Sequence, residues 1–310
     1  MSMRLEMLQV ARLAPKLLGD STELIRAFFL RQQNLDGGFK DRAGNSDLYY
    51  TVFGIDGLVA LDVSIFKSQV SSSGLAQRLA QAAPYVRAFG EGDGLGFVHL
   101  CCLARSWGAI SGPGATMPRP PQVRDGILRR IESFRSQDGG YNPSADAEFG
   151  TAYGGFLALG AYQDLKAELP EPWRLAESVK ALKTGDGAWA NERRVKVGST
   201  NATAAGITVL RNLSLPVDPS VGEWLLARAY PGGGFLAGPS APMPDLLSTA
   251  TALHALAGMQ VSFQHVRESC LDFLDTLWTN EGALHGHWGD DHLDCEYTFY
   301  GLLALGHLSL

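Results

Sequence analysis

No stretch of the 310 residues is rich in lysine and arginine. The 26 basic side chains are dispersed among 32 acidic ones, for a net charge of -6 and a pI near 5.6. Nothing therefore offers the continuous positive surface that neutralises a phosphate backbone, which argues against a nucleic-acid partner. Apolar runs long enough to span a membrane are missing as well. Residues 1–19 interrupt their apolar positions with Arg4, Glu6, Arg12 and Lys16, unlike the uncharged stretch of a signal peptide, so a soluble cytoplasmic protein is expected. Cysteine is scarce and forms no C-x-x-C pair. Cys101, Cys102, Cys270 and Cys295 fall in predicted helices or at a helix start, which suits reduced thiols better than a disulfide framework. No glycine-rich segment ends in Lys-Ser/Thr, so none reads as a phosphate loop.

What the chain does have is a recurring phrase: Asp36-Gly37-Gly38-Phe39, Asp138-Gly139-Gly140-Tyr141, Asp186-Gly187-Ala188-Trp189, Gly232-Gly233-Gly234-Phe235 and a faded Glu281-Gly282-Ala283-Leu284. The copies start 102, 48, 46 and 49 residues apart, so the first interval spans two periods and hides a weak copy around Gly92 to Phe97. Six units then fill residues 1–310 as one closed domain, because each unit must lean on its neighbours to bury its apolar face. The Pro/Gly-rich stretch 111–122 reads as a surface loop within the array.

Each clear unit reads as two helices of different character. The first, such as Thr22 to Gln33, Val123 to Ser136 and His265 to Trp278, sets apolar residues at helical spacing with charges between them, and so has one wet face. The second, such as Thr151 to Gly160, Thr249 to Gly258 and Thr298 to Gly306, is apolar nearly all round and rich in Gly and Ala, and belongs inside. Glycine costs about 1 kcal/mol relative to alanine in a helix interior, so its recurrence implies close packing. The Asp-Gly-Gly phrase suits a reversal with positive φ, leaving the aromatic to cover the joint.

Pairs of residues mark where the inner helices begin: Asp47/Thr51, Ser199/Thr203, Asp245/Thr249, Asp294/Thr298 and, one residue wider, Asp146/Thr151. Asp and Ser there are first of all N-caps. If the inner helices run parallel around a ring, these ends meet at one mouth of a central cavity, where the helix dipoles favour anions. His99, His254 and His307, inside apolar helices, read as core histidines, whereas His285, His287 and His292 crowd the loop before Asp294.

Gln33-Asn-Leu-Asp-Gly-Gly-Phe39 and Gln137-Asp-Gly-Gly-Tyr141, each followed by a Gly/Ala-rich helix, resemble the repeats of protein prenyltransferase β subunits and squalene-hopene-type cyclases, as a divergent, bacterial-like single toroid. The resemblance covers nearly the whole chain and implies an all-α fold: an α/α toroid of six inner helices inside six outer ones, around an aromatic-lined cavity that holds an isoprenoid. In β subunits an Asp, a Cys two residues on and a later His bind zinc. Asp245 falls on the Asp, but Leu247 stands at the Cys and Tyr297 at the His. Zinc needs three or four ligands, so neither zinc nor any other cofactor is expected. A rebuilt set of Asp245, Cys295 and His292 or His287 is the alternative. The family's diphosphate-binding cations are replaced too: 234–244 contains no cation, and Gly150 stands for an Arg. Arg193, Arg194 and Lys196, or Lys40 and Arg42, remain to meet an anion.

The resemblance thus implies an isoprenoid-processing protein, either prenyltransferase-like or a proton-initiated, class II-like terpene cyclase. In the second case the run Asp294-Cys295-Glu296-Tyr297-Thr298, similar to the cyclases' Asp-x-Asp-Asp-Thr, supplies a general acid, Glu296, with Asp294 as its partner. Aromatics among Tyr49, Tyr50, Phe53, Phe149, Tyr153, Phe156, Phe299 and Tyr300 would shield carbocations. Asp245 completes the catalytic candidates. Asp47, Tyr49, Tyr50, Glu148, Tyr153, Arg193, Arg194, Tyr297 and Tyr300 are the substrate-binding ones. A non-catalytic prenyl-lipid carrier or scaffold is the third reading. The family also implies an α-subunit-like protein partner, with a homo-oligomer as the other arrangement.

Overall fold

The computed structural model describes residues 2–62, 73–111 and 120–310. Two short helices, α1 (Met3–Ala11) and α2 (Pro15–Leu18), precede six helical pairs. In chain order these are α3 (Ser21–Gln32) with α4 (Leu48–Ala60), α5 (Ser73–Ala88) with α6 (Phe97–Ile110), α7 (Pro121–Glu132) with α8 (Ala152–Asp164), α9 (Pro172–Lys180) with α10 (Thr200–Asn212), α11 (Ser220–Leu226) with α12 (Leu246–Gly258), and α13 (Arg267–Leu277) with α14 (Cys295–Leu308). Each even-numbered helix from α4 to α12 packs on the next, and α14 returns to α4, closing an inner ring. The odd-numbered partners form the outer layer. The expected α/α toroid is the observed fold. Of the stretch 111–122, Pro121 and Gln122 open α7, and 112–119 lie outside the described residues.

The recurring phrase holds this ring together at three points. Gly37, Gly139, Gly187, Gly233 and Gly282 all have φ between 80° and 97°, the left-handed region that a side chain resists. Space adds a second reason. A Cβ on Gly37 would lie 1.9 Å from the Gln81 carbonyl oxygen of α5, one on Gly233 1.9 Å from that of Ser269 in α13, and one on Gly282 2.3 Å from that of Leu24 in α3. Each turn thus seats on the outer helix of the following repeat, and Gly282 on α3 closes the outer ring.

The aromatic then turns inward. Phe39, Tyr141 and Phe235 are fully buried and Trp189 nearly so. Phe39 occupies the space beside Gly54, Trp189 that beside Gly206, and Leu284 that beside Gly301. Gly54, Gly206 and Gly301 therefore receive the turn residue of their own repeat, whereas Gly57 and Gly155 admit outer-helix side chains, Phe29 and Leu175, and Gly108 and Gly258 meet Asp164 and Arg211 of neighbouring inner helices, as the expected close packing requires.

The third tie explains the spaced Asp and Thr. Thr51 Oγ1 accepts from Phe39 N (2.9 Å) and donates to Asp47 O (2.6 Å), and Thr249 does the same between Phe235 N and Asp245 O at 2.9 and 2.7 Å. Asp47, Ser199, Asp245 and Asp294 are N-caps, as expected. The third repeat departs from the expected alignment. Its cap is Thr151, whose hydroxyl accepts from Gly154 N, while Asp146 lies in the preceding loop with φ 58°. Thr151 is thus equivalent to the caps and not to the later threonines.

α1 lies across the C-terminal ends of the inner helices. Met3 N donates to Gln163 Oε1, Met3 fills the space beside Gly160, and the Val10 backbone sits against Gly306. The ring is therefore closed at that end. No helix among the described residues is long and apolar enough to cross a membrane.

Candidate active site

Inside the inner ring is a cavity of about 400 Å³. Its walls come from successive turns of the inner helices. Nearest the N-terminal ends stand Tyr49, Cys101, Cys102, Tyr153, Asn201, Leu247 and Glu296; deeper lie Phe53, Phe156, Thr208, Tyr300 and Leu303; and Met3, Arg4, Met7, Asp164 and His254 line the far end. The surface is mostly hydrocarbon and aromatic edge, with a few ionisable groups, the composition of a small-molecule site.

Glu296 is the ionisable group at the upper level. It lies in the first turn of α14, where Asp294 caps the helix and turns the next side chains inward. Its Oε1 accepts a 2.5 Å hydrogen bond from the phenol of Tyr49 on α4. Burial pushes its pKa up, the Tyr49 hydrogen bond pulls it back, nearby Asp294 adds to the rise, and the result is about 7. A substantial fraction therefore remains a carboxylic acid at neutral pH. The same burial raises the Tyr49 and Tyr300 phenols, which stay protonated.

Asp294 itself points away from the cavity. One oxygen caps Tyr297 N and the other takes Nε of Arg42 at 3.0 Å, while Arg42 also reaches Asp290 at 3.1 Å and lies 5.6 Å from the Tyr297 ring centre. Asp294 thus acts on Glu296 by its charge, and Arg42, flanked by Tyr50 and Tyr297, separates it from solvent. At the neighbouring rim Asp47 receives Tyr49 N and Tyr50 N and pairs with His99 Nε2 at 2.9 Å. That hydrogen bond is the main reason His99 titrates above its ordinary value.

The other sequence candidates are scattered. Of the aromatics, Tyr49, Phe53, Tyr153, Phe156 and Tyr300 line the cavity. Phe299 is fully buried against Phe53, and Phe149 lies under the Arg193 guanidinium, 4.1 Å away. Arg193 also pairs with Asp138 at 3.3 Å. Arg194 and Glu148 lie in loops, and none of Arg193, Arg194 and Glu148 reaches the cavity wall. Asp245 caps α12, is bonded to Ser248 N and Oγ at 2.7 Å each, and is pushed up by burial.

The residues present do not fit a zinc ion. Asp245 is committed to its cap, Leu247 and Tyr297 are not metal ligands of the required kind, Cys295 is fully buried with its thiol pushed up, and His292 is an exposed partner of Asp290. Among the described residues no three His, Cys, Asp or Glu side chains converge on a common point.

Four charged residues of the floor were not among the sequence candidates. Asp56 on α4 takes Arg4 Nε at 2.9 Å and Arg105 Nε and Nη2 at 2.9 and 2.7 Å, and Asp164 on α8 completes the group. The signal was there: Asp56 interrupts the apolar run Tyr-Thr-Val-Phe-Gly-Ile-Asp-Gly-Leu-Val, and Arg105 a similar one in α6. A charge inside an otherwise apolar helix requires a partner across the core.

Residues 5–87 and 202–308 match the family model of the prenyltransferase alpha-alpha toroid domain. The chain belongs to that family. Solved toroids superpose over almost its full length. A variant of the type II terpene cyclase MstE from Scytonema, in complex with its substrate geranylgeranyl dihydroxybenzoate, gives a TM-score of 0.62 at 14% identity, covering 96% of this chain and 97% of that one. Candida albicans protein geranylgeranyltransferase-I complexed with GGPP gives 0.64 at 15% identity, covering 93% and 90%. At such identities the likeness concerns the fold. No curated protein sequence matches the chain.

Proposed function

We propose that the protein is a proton-initiated isoprenoid cyclase, with Glu296 as the general acid. The observation that carries this reading is a carboxyl of pKa about 7, held by Tyr49 at the edge of a cavity walled by Phe53, Tyr153, Phe156 and Tyr300. An alkene is a very weak base, so its protonation calls for an acid kept neutral by burial and positioned against the substrate.

The step balances without a co-reactant. Glu296 gives its proton to one carbon of a substrate alkene, a C–H bond forms, and the positive charge appears on the neighbouring tertiary carbon. A second alkene of the same chain attacks that carbon, closing a ring and moving the charge onward, until the last cation loses a proton from a neighbouring carbon to water, forming an alkene, while Glu296 regains one proton from solvent. The aromatic faces of the cavity stabilise each cation in turn, and the apolar wall keeps water from capturing it early. The ionised Glu296 is stabilised by Tyr49 and by the charge of Arg42 while it recovers a proton.

A prenyl transfer of the zinc-thiolate kind draws less support. The Asp245 region lacks the other donors, and the mouth cations Arg42 and Arg193 are already paired with aspartates. Incubation with C10 to C20 isoprenoids, followed by product analysis, tests the reading. Cyclic products that disappear in Glu296→Gln and persist in EDTA support it; products that survive that substitution overturn it.

A further inference from the structure

The floor of the cavity holds cationic donors that have no acceptor among the described residues. Arg4, on α1, is 8% exposed, and its one hydrogen bond among the described residues runs from Nε to Asp56, so its terminal Nη groups have no protein acceptor. Arg105 uses Nε and Nη2 on the same carboxylate, leaving Nη1. The Asp164 carboxyl makes no hydrogen bond among the described residues, although Arg4, Arg105 and Asp56 all act on it. Arg4, Arg105 and Asp164 all border the cavity. Unmatched polar groups at such depth are costly, and several facing one space point to a ligand group that belongs there.

We infer that this floor is a carboxylate-binding subsite, and that the isoprenoid taken by the cavity ends in a carboxylic acid. The inference takes from the proposed function only that an isoprenoid occupies the cavity. Two guanidinium groups and the doubly paired Asp56 leave one positive charge when Asp164 is neutral, and a monoanion closes that balance. A diphosphate, with two or more charges beside two aspartates, does not. The forked donors of arginine suit a planar carboxylate, and Asp164 can then donate its proton to it. Dimensions agree. Tyr49 to Asp56 is seven residues of helix, about 10 Å at 1.5 Å per residue. A C10 to C15 acid with its head on the floor would present an alkene at the level of Glu296.

The experiment measures binding to the wild-type protein by calorimetry at pH 6.5, using geranic and farnesoic acids, the matching alcohols, the parent hydrocarbons and the matching diphosphates. The acid should bind at least tenfold more tightly than the alcohol, the hydrocarbon and the diphosphate. Arg4→Gln should remove that preference while keeping the alcohol's affinity. Should Arg4→Gln melt early, Asp164→Asn provides the second arm, set in a Glu296→Gln background so that the mouth carboxyl no longer titrates: the acid should bind Asp164→Asn about equally at pH 6.5 and 8.5, whereas the same background with Asp164 intact should lose at least fivefold at pH 8.5. Equal binding of acid and alcohol, preference for the diphosphate, or an acid preference that Arg4→Gln leaves intact overturns the inference. So does identical pH dependence with and without Asp164→Asn in that background. Alcohol and hydrocarbon binding without acid preference sinks the floor subsite alone. Acid-selective binding with no cyclic product sinks the proposed cyclisation alone.

Discussion

The phenolic oxygen of Tyr49 stands 2.5 Å from Oε1 of Glu296, across 247 residues of sequence. The bond joins the first inner helix to the last, so the acid is assembled where the ring closes. A carboxyl so placed depends on the whole toroid for its environment: α14 aims it, α4 supplies its hydrogen bond, and the remaining inner helices exclude water.

If Glu296 donates the initiating proton, Glu296→Gln keeps size and hydrogen bonding but removes the acid. Turnover should fall by about 10²- to 10⁴-fold, with ligand affinity nearly unchanged. In the wild type the active form is the protonated one, so kcat/KM should fall as pH rises through about 7, where Glu296 ionises. Steady-state rates from pH 5.5 to 9 check both points, and a rate that rises across that range would refute the assignment.

Tyr49 makes a distinct prediction because its hydrogen bond favours the ionised form of Glu296. Tyr49→Phe should therefore move the descending limb of the pH profile upward, by about one unit. The maximal rate should drop only modestly, since the acid survives. A limb that stays in place would mean that Tyr49 merely fills space.

The toroid was legible because its design repeats. The positive-φ glycines, the turn aromatics and the cap-to-threonine spacing recur in sequence because one joint is built over and over, and only the third repeat was misaligned, where Thr151 sits at the cap and Asp146 does not. Glu296, Tyr49, Tyr153 and Tyr300 were readable for a related reason, since the start of each inner helix marks the mouth. The floor was not legible in the same way. Arg4, Asp56, Arg105 and Asp164 come from four helices and meet only through ring closure and the crossing of α1. No local spacing encodes that meeting, and nothing in the sequence shows that Arg193 is already held by Asp138 and Phe149.

The turn-to-helix joint predicts a stability effect. A Cβ at Gly54 would fall 2.1 Å from the Phe39 ring, which is fully buried and has no room to retreat. Gly54→Ala should destabilise the fold by about 1–3 kcal/mol despite the better helix propensity of alanine. Gly187→Ala tests the other term, because open space surrounds that site and only its φ of 90° resists a side chain. Denaturant melts should show losses for both, with Phe39→Leu restoring part of the stability of Gly54→Ala and none of that of Gly187→Ala.

The two cavity carboxyls also predict how stability depends on pH. Glu296 and Asp164 each titrate near 7 in the folded protein, raised chiefly by burial, against about 4.3 and 3.9 for unfolded glutamate and aspartate. Between these values the two carboxyls hold more protons in the folded state than in the unfolded one, so their contribution to stability should decline as pH rises from about 4 to about 7, while the buried His254 and His307, lowered by burial to about 4 and about 3, contribute a slope of the opposite sign below the ordinary histidine value. His99 adds a slope of the carboxyls' sign, because its hydrogen bond to Asp47 raises its pKa and that contribution fades once the imidazole deprotonates. The measurement must therefore be a difference. Urea melts of wild type, Asp164→Asn and Glu296→Gln at pH 5, 6, 7 and 8 should show, in each variant minus wild type, the loss of one declining component, and the double variant should lose both while keeping the opposed components of His99 and of His254 and His307. A variant whose pH dependence parallels that of wild type would show that its carboxyl ionises in the fold as freely as in water.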